Sequence, residues 1–348
     1  MSKNKKPRIL LVYTGGTIGM VKGADGALQP FDFENIISHI PEINMIDCHL
    51  SSYSFPVLLD SSNINPSSWI EIARVIEDNY YSYDGFVVLH GTDTMAYTTS
   101  ALSFMFSGLE KPVIFTGSQL PIGHLRTDAK ENLITAIELS SLTDDEGMPL
   151  IREVCLYFQH ELYRGNRSTK INAEQFNAFA SPNCPPLAHS GVHLSVNHQL
   201  LRKPSMSEFG VTTVLSTHIL LLHIYPGMSI EMVKHLLSYE KLEGVILLTY
   251  GAGNAPTDEV FLSALEEKIA SGIPVVNVTQ CLKGSVSQGE YAVSQTLKEI
   301  GVISGVDMTK EAAITKMMYL LPRKRTMEEF RKLYVKDLRG EINTIKVK

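Results

Sequence analysis

The chain has 348 residues, of which 44% are hydrophobic and 20% charged, and its formal net charge is −6. That length exceeds one ordinary core and that composition is not disordered, so a soluble protein of two globular domains is expected. The acidic balance supplies no basic footprint, which sets aside nucleic acid and anionic membranes and leaves a small molecule as the expected partner.

Met1 to Arg8 is basic, but the apolar run Ile9 to Val12 soon enters a glycine turn. The run is too short for a signal-peptide core or a membrane span and reads instead as a buried strand. It leads into Tyr13-Thr14-Gly15-Gly16-Thr17-Ile18-Gly19, and Met20 to Pro30 follows as a loop whose Gly19, Gly23 and Gly26 suit a hinged lid. Asn65-Pro66 reads as an N-cap with proline at the first helical position, opening a helix with Ile70, Ala73 and Ile76 or Glu77 at helical spacing. After the turn Tyr83-Asp84-Gly85, a strand Phe86 to Leu89 runs into His90-Gly91-Thr92-Asp93-Thr94, and Met95 to Phe106 continues as an apolar helix. The same grammar returns in a strand from Lys111 that ends at Thr116-Gly117-Ser118, a helix Thr127 to Leu142 with Leu133, Ala136 and Ile137 on its inner face, and a strand Val154 to Phe158.

Such βαβ succession implies a parallel sheet. An irregular polar stretch, 196–215, centred on Arg202-Lys203-Pro204-Ser205, is expected to join an N-terminal domain, 1–195, to a C-terminal one, 216–348. The second half repeats the alternation: Ile219 to Tyr225, a helix from Ser229, Gly244 to Tyr250, a helix Asp258 to Ser271, and Ile273 to Val278. The expected class is α/β, with a larger, mostly parallel N-terminal sheet flanked by helices and a smaller parallel C-terminal domain. Arg323-Lys324-Arg325 reads as a solvated helix face.

Thr14 is the first chemical candidate, because two glycines after a strand leave its hydroxyl uncovered and let a substrate approach the backbone. The spacing of Gly15, Gly16 and Gly19 matches neither the dinucleotide fingerprint nor the phosphate loop. Thr92 and Asp93 open a helix whose amides favour an anion, although for that loop taken alone capping by Asp93 or Thr94 is the favoured explanation. A threonine hydroxyl needs a base within reach, and the basic loop Leu162 to Lys170 offers Lys170, unless that lysine is only a surface cation. His90, closing a buried strand, is read as structural rather than as part of a triad. His189 and His193 have no third ligand nearby, so no metal is expected, and four widely separated cysteines, Cys48, Cys155, Cys184 and Cys281, read as reduced thiols of a cytoplasmic protein.

With these pieces in order, the chain resembles the bacterial-type L-asparaginases, specifically the cytoplasmic type I branch. The resemblance rests on Thr14-Gly15-Gly16-Thr17-Ile18, Asp60-Ser61-Ser62, Gly91-Thr92-Asp93-Thr94, Tyr163-Arg164-Gly165-Asn166-Arg167 with Lys170, and Gly251-Ala252-Gly253-Asn254. It implies a cofactor-free double displacement: Thr14 attacks the side-chain amide of asparagine, ammonia leaves, and water releases aspartate. It also implies that Lys170 draws a proton through the Thr92 hydroxyl, the Thr92 backbone N–H holds the oxyanion, Ser61 and Asp93 hold the substrate's α-carboxylate and α-ammonium, and Asn254 arrives from a neighbouring subunit of a dimer or dimer of dimers.

Two departures from the family stand out. Many relatives carry a lid tyrosine credited with assisting the nucleophile, and Met20 to Pro30 has none. Some type I members bind asparagine as an effector near the equivalents of Thr279-Gln280-Cys281, but the arginine expected two residues before Tyr250 is Leu248. Competing readings are a glutaminase or other amidase with the same machinery, the deamidating subunit of a tRNA-dependent amidotransferase, and a non-catalytic amino-acid sensor.

Overall fold

The computed structural model describes residues 6–22, 28–30, 40–287, 292–323 and 325–343. The lid residues Gly23, Asp25 and Gly26, and Lys324, therefore lie outside the described residues. The chain divides into two units, 1–181 with 185–213, and 182–184 with 214–348.

The first unit is built on eight strands. In chain order these are β1 (Arg8–Gly15), β4 (His49–Leu59), β5 (Gly85–Leu89), β7 (Val113–Thr116), β8 (Val154–Phe158), β9 (Glu161–Arg164), β12 (Ala188–Ser190) and β13 (Leu194–Val196), and they lie side by side as β13-β12-β9-β8-β7-β5-β1-β4. Short pairs complete the unit: β2 (Met20–Lys22) with β3 (Leu28–Pro30), β6 (Phe106–Ser107) with β14 (Gly210–Val211), and β10 (Thr169–Lys170) with β11 (Phe179–Ala180). From β4 to β8 all pairings are parallel, whereas β9, β12 and β13 run antiparallel. The α/β class with a mostly parallel sheet is as expected. The antiparallel end arises because β8 returns directly as β9 through Gln159 and His160, both at positive φ (48° and 69°), a mirror-image two-residue turn made without glycine.

The parallel strands are apolar throughout because both faces are covered. Helix Ala129–Ser140 turns Leu133, Ala136 and Ile137 into the core on one face, as its spacing predicted. Helix Met95–Met105 is buried nearly all round, and helix Pro66–Asn79, capped by the Asn65 side chain on the Ser67 amide, buries Trp69, Ile72, Ala73 and Ile76. Of the expected spacing, Ala73 and Ile76 rather than Glu77 lie inside, while Ile70 is only half-buried because the apolar stripe starts one residue earlier, at Trp69. Residues 196–213 pack with the first unit, where Leu200 and Leu201 lie against its core and Phe209 stacks on Tyr80.

In the second unit four parallel strands, β15 (Ile219–His223), β16 (Gly244–Thr249), β17 (Val275–Thr279) and β18 (Ile303–Ser304), are ordered as in the chain. Successive residues of β16 and β17 face opposite sides, which builds two cores. Val245, Leu247 and Val275 meet helices Ile230–Leu237 and Glu259–Ala270 on one side, while Ile246, Leu248, Val276 and Val278 meet helices Lys310–Leu320 and Met327–Tyr334 on the other. Arg323 and Arg325 belong to the turn between the last two helices, not to a helix face. Their guanidinium groups donate to the carbonyls of Tyr319 and Leu320, where the helix macrodipole favours cations. A buried pair, Lys316 and Glu341, both 0% exposed and 2.5 Å apart, ties the C-terminal segment to helix Lys310–Leu320.

Candidate active site

The chain lays β4 on one side of β1 and then crosses to lay β5 on the other, so the strand order reverses between β1 and β5. Loops leaving the carboxyl ends of two such strands open a crevice, the usual ligand site of an open α/β sheet. Thr14 ends β1 and Thr92 follows β5, with Tyr13 and Leu89 paired across the sheet at the exit.

The two loops touch. Gly16 has φ +91°, and a Cβ there would stand 2.6 Å from the Gly91 nitrogen and 2.8 Å from its Cα. Both contacts are with backbone, so only glycine permits this approach. The other side of Gly91 is closed by Ser61, whose Oγ would lie 2.5 Å from a Cβ on Gly91. Ser61 is itself nearly buried and its carbonyl accepts from Thr94 Oγ1 at 2.6 Å. Asp60 shapes that turn by accepting from the Ser62 amide and hydroxyl, both at 2.9 Å; the Ser62 amide bond holds its carboxyl below the ordinary value.

Thr14 is 1% exposed and its hydroxyl donates to the Leu89 carbonyl at 2.8 Å. Lys170 reaches the second threonine: its Nζ donates to Thr92 Oγ1 at 2.8 Å and to Asp93 Oδ1 at 2.7 Å. The lysine owes this reach to a buried connector. Arg164 forms a 2.5 Å ion pair with Glu153 and also bonds the Leu200 carbonyl; the Gly165 carbonyl accepts from the hydroxyls of Thr99 and Ser168; and the β10–β11 ribbon sets Lys170 opposite Phe179. Asp93 and Thr94 therefore do not act as side-chain caps of helix Met95–Met105, because one carboxylate oxygen serves Lys170 and the Thr94 hydroxyl serves Ser61.

Gln119 is a site neighbour that the sequence pattern did not single out. Its amide nitrogen donates to the carbonyls of Ala173 and Gln175, which turns its Oε1 toward Thr92 Oγ1 at 3.3 Å. It follows the third strand-and-glycine turn, Thr116-Gly117-Ser118, and that recurrence was the available signal. His90 is fully buried, and burial pushes its imidazole down to about 4, so it is neutral. Both ring nitrogens are occupied, Nδ1 by the Gly91 carbonyl at 2.6 Å and Nε2 by Thr98 Oγ1 at 2.9 Å.

In the second unit, Asn254 closes the turn that begins at Tyr250, and its Oδ1 is buried with no hydrogen-bond partner among the described residues. Thr279 Oγ1 donates to the Gly251 carbonyl at 2.5 Å and accepts from the Cys281 amide at 3.0 Å. Leu248 faces the core. Among the described residues no three His, Cys, Asp or Glu side chains are grouped to hold a metal ion, and no helix is long and apolar enough to cross a membrane.

Residues 8–202 match the family model described as asparaginase, N-terminal, and residues 218–334 match the glutaminase/asparaginase C-terminal domain. The chain is 42% identical over 340 residues to L-asparaginase 1 of Escherichia coli (strain K12), spanning 97% of this chain and 98% of that protein. It is also 39% identical over 360 residues to the 60 kDa lysophospholipase of Mus musculus, spanning 96% of this chain and 62% of that longer protein. Among solved structures, L-asparaginase I from Vibrio cholerae O1 biovar eltor str. N16961 is similar with a TM-score of 0.89 at 41% identity, covering 97% of this chain and 100% of that one. With both halves matched and a relative aligned from end to end, the chain belongs to the asparaginase family.

Proposed function

We propose that this protein hydrolyses the side-chain amide of L-asparagine to L-aspartate and ammonia, with Thr14 as nucleophile. The observation that carries the reading is the Lys170–Thr92 contact at 2.8 Å, held beside the Thr14 loop at the strand-order reversal.

Thr14 leaves the Leu89 carbonyl and its Oγ bonds to the amide carbon. Its proton passes by way of the Thr92 hydroxyl and Lys170 to the leaving nitrogen, and the C–N bond breaks to release ammonia. Water then adds to the Thr14 ester, the same relay takes its proton, and the C–O bond breaks to give aspartate and restore the threonine hydroxyl. The Thr92 backbone N–H stabilises the oxyanion in both steps.

Ser61 binds the α-carboxylate and Asp93 the α-ammonium, for which its second carboxylate oxygen remains available beside Lys170. Nucleophile, proton carrier and oxyanion donor are all protein groups, so the reaction calls for no cofactor. Asn254 completes the site from a neighbouring copy in a cytoplasmic dimer or dimer of dimers, and its buried Oδ1, which has no hydrogen-bond partner among the described residues, supports a partner at that position. The effector role of Thr279 and Cys281 is not part of the proposal, because the hydroxyl is engaged in its own turn and Leu248 offers no charge.

Glutamine is the competing substrate, since one methylene changes binding by only about 1–3 kcal/mol. Steady-state ammonia release from asparagine and from glutamine tests the reading. A higher kcat/KM for asparagine, abolished by Thr14→Ala, supports it; undiminished turnover by Thr14→Ala ends it.

A further inference from the structure

His90 takes no part in the chemistry above, yet it sits directly beneath it in a hydrogen-bonded chain of fixed direction. The chain starts at the Trp69 indole, whose Nε1–H donates to Thr98 Oγ1 at 3.1 Å. It ends at the Gly91 carbonyl, 2.6 Å from His90 Nδ1. An indole N–H can only donate and a carbonyl can only accept, so both ends are settled by chemistry. His90 must then carry its proton on Nδ1, its Nε2 must accept the Thr98 hydroxyl proton at 2.9 Å, and the Thr98 oxygen receives the indole.

The ring has no room to turn. The His90 amide donates to the Thr116 carbonyl on β7, and Phe115 packs edge-on against the imidazole with ring centres 5.8 Å apart. A Cβ on Gly117 would stand 2.3 Å from the His90 carbonyl.

The Gly91 carbonyl shares its peptide plane with the Thr92 N–H, and in a trans peptide the two point in opposite directions. No cis peptide occurs among the described residues. Anchoring the carbonyl to an imidazole in the core therefore aims the Thr92 N–H out of the core, at the edge that the Thr14 loop shares. That N–H donates to no protein acceptor among the described residues, while Gly91, lacking Cβ and squeezed between Gly16 and Ser61, has no side chain of its own to hold the plane.

We propose that His90 is a positioning residue for acyl transfer: through the Trp69–Thr98–His90–Gly91 chain it locks the Gly91–Thr92 peptide so that the Thr92 N–H meets the oxyanion as it forms. The inference rests on the reading of Thr14 and Thr92 given above. Substrate binding does not need that N–H in its final alignment, whereas the tetrahedral state does, so loss of the lock lowers kcat and spares KM.

The test compares wild type, His90→Leu, His90→Asn and Thr98→Val, each full length and checked by thermal melting. Removing an oxyanion donor outright costs roughly 10²–10³ in kcat, so letting one drift in His90→Leu should cost about 10–100-fold, with KM within about threefold. His90→Asn places an amide N–H near the Nδ1 position and should recover most of the lost kcat. Should His90→Leu fail to fold, Thr98→Val decides; it frees the tautomer while keeping the ring and should lower kcat by about 3–10-fold at unchanged KM. Folded variants with wild-type kcat, or with losses in KM alone, overturn the inference. Wild-type protein that releases no ammonia from asparagine overturns instead the functional reading beneath it.

Discussion

Acidification titrates His90 against the fold, and the structure sets both sign and size. Burial holds the folded imidazole at about 4, against an ordinary 6.5 in the unfolded chain. Between those values the unfolded state binds a proton that the folded state refuses, so stability rises with pH there. The slope contributed by one such group is about 1.4 kcal/mol per pH unit, and the gap amounts to about 3 kcal/mol in all. This contribution is complete above pH 6.5, falls as the pH drops toward 4, and falls no further below that. Other groups titrate over part of this range, so the relevant quantity is the difference between wild type and His90→Asn, whose amide carries no such charge. Urea midpoints measured every half unit from pH 4 to 8 should show wild type losing about 3 kcal/mol more than the variant as the pH falls. Parallel curves would refute the claim that His90 is buried neutral between two fixed partners.

Three further outcomes follow from named contacts. Lys170→Met should lower kcat by about 10²–10⁴-fold while leaving the melting temperature nearly unchanged, because its partner Asp93 is 64% exposed and such pairs contribute little to stability. Melting curves beside ammonia assays check this, and a parallel collapse of both would contradict it. Lys316→Met strands the Glu341 carboxylate in the core, which opposes ionisation and is offset by Lys316 and by the amides of Arg339 and Leu338; a loss of about 3–5 kcal/mol is expected, and less in the double variant Lys316→Met/Glu341→Leu. Urea denaturation of the two singles and the double decides it, and a loss in the double equal to the sum of the two single losses would deny the coupling. Gly16→Ala forces a Cβ against the Gly91 backbone at φ +91°, so both loops must shift; roughly 2 kcal/mol of stability and most of the activity should go together, and a near-normal variant would mean the loops do not touch.

Several parts of this arrangement could be read from residue order. Buried parallel strands announce themselves as unbroken apolar runs, so Ile9 to Val12 and Phe86 to Leu89 were legible, and the glycines after them marked the exits where Thr14 and Thr92 stand. Helices with sharp caps were legible too, as at Asn65, Ser229 and Asp258, whose side chains accept from the first free amides.

What could not be read depends on strand order and on partners distant in the chain. Edge strand β4 presents mostly exposed residues with no alternation, so nothing marked it, and without β4 the reversal beside β1 cannot be foreseen. The β8–β9 turn uses Gln159 and His160 where Asn-Gly would have signalled a hairpin. Gln119, Thr98 and Trp69 are unremarkable in sequence; their roles arise only because Gln119 comes beside Thr92 and because two helices pack their side chains against the end of β5. Asp93 and Thr94 looked like ordinary caps for the opposite reason, since the lysine and serine carbonyl that claim them lie 77 and 33 residues away.

The central claim is that the Thr14 hydroxyl becomes acylated, and trapping that ester tests it most directly. Enzyme quenched in acid during asparagine turnover, digested and examined by mass spectrometry should carry an aspartyl group on the peptide containing Thr14, and the adduct should vanish in Thr14→Ala. An aspartyl ester on Thr92, or rapid quenching that finds no adduct while a pre-steady-state burst of ammonia is seen, would contradict the account.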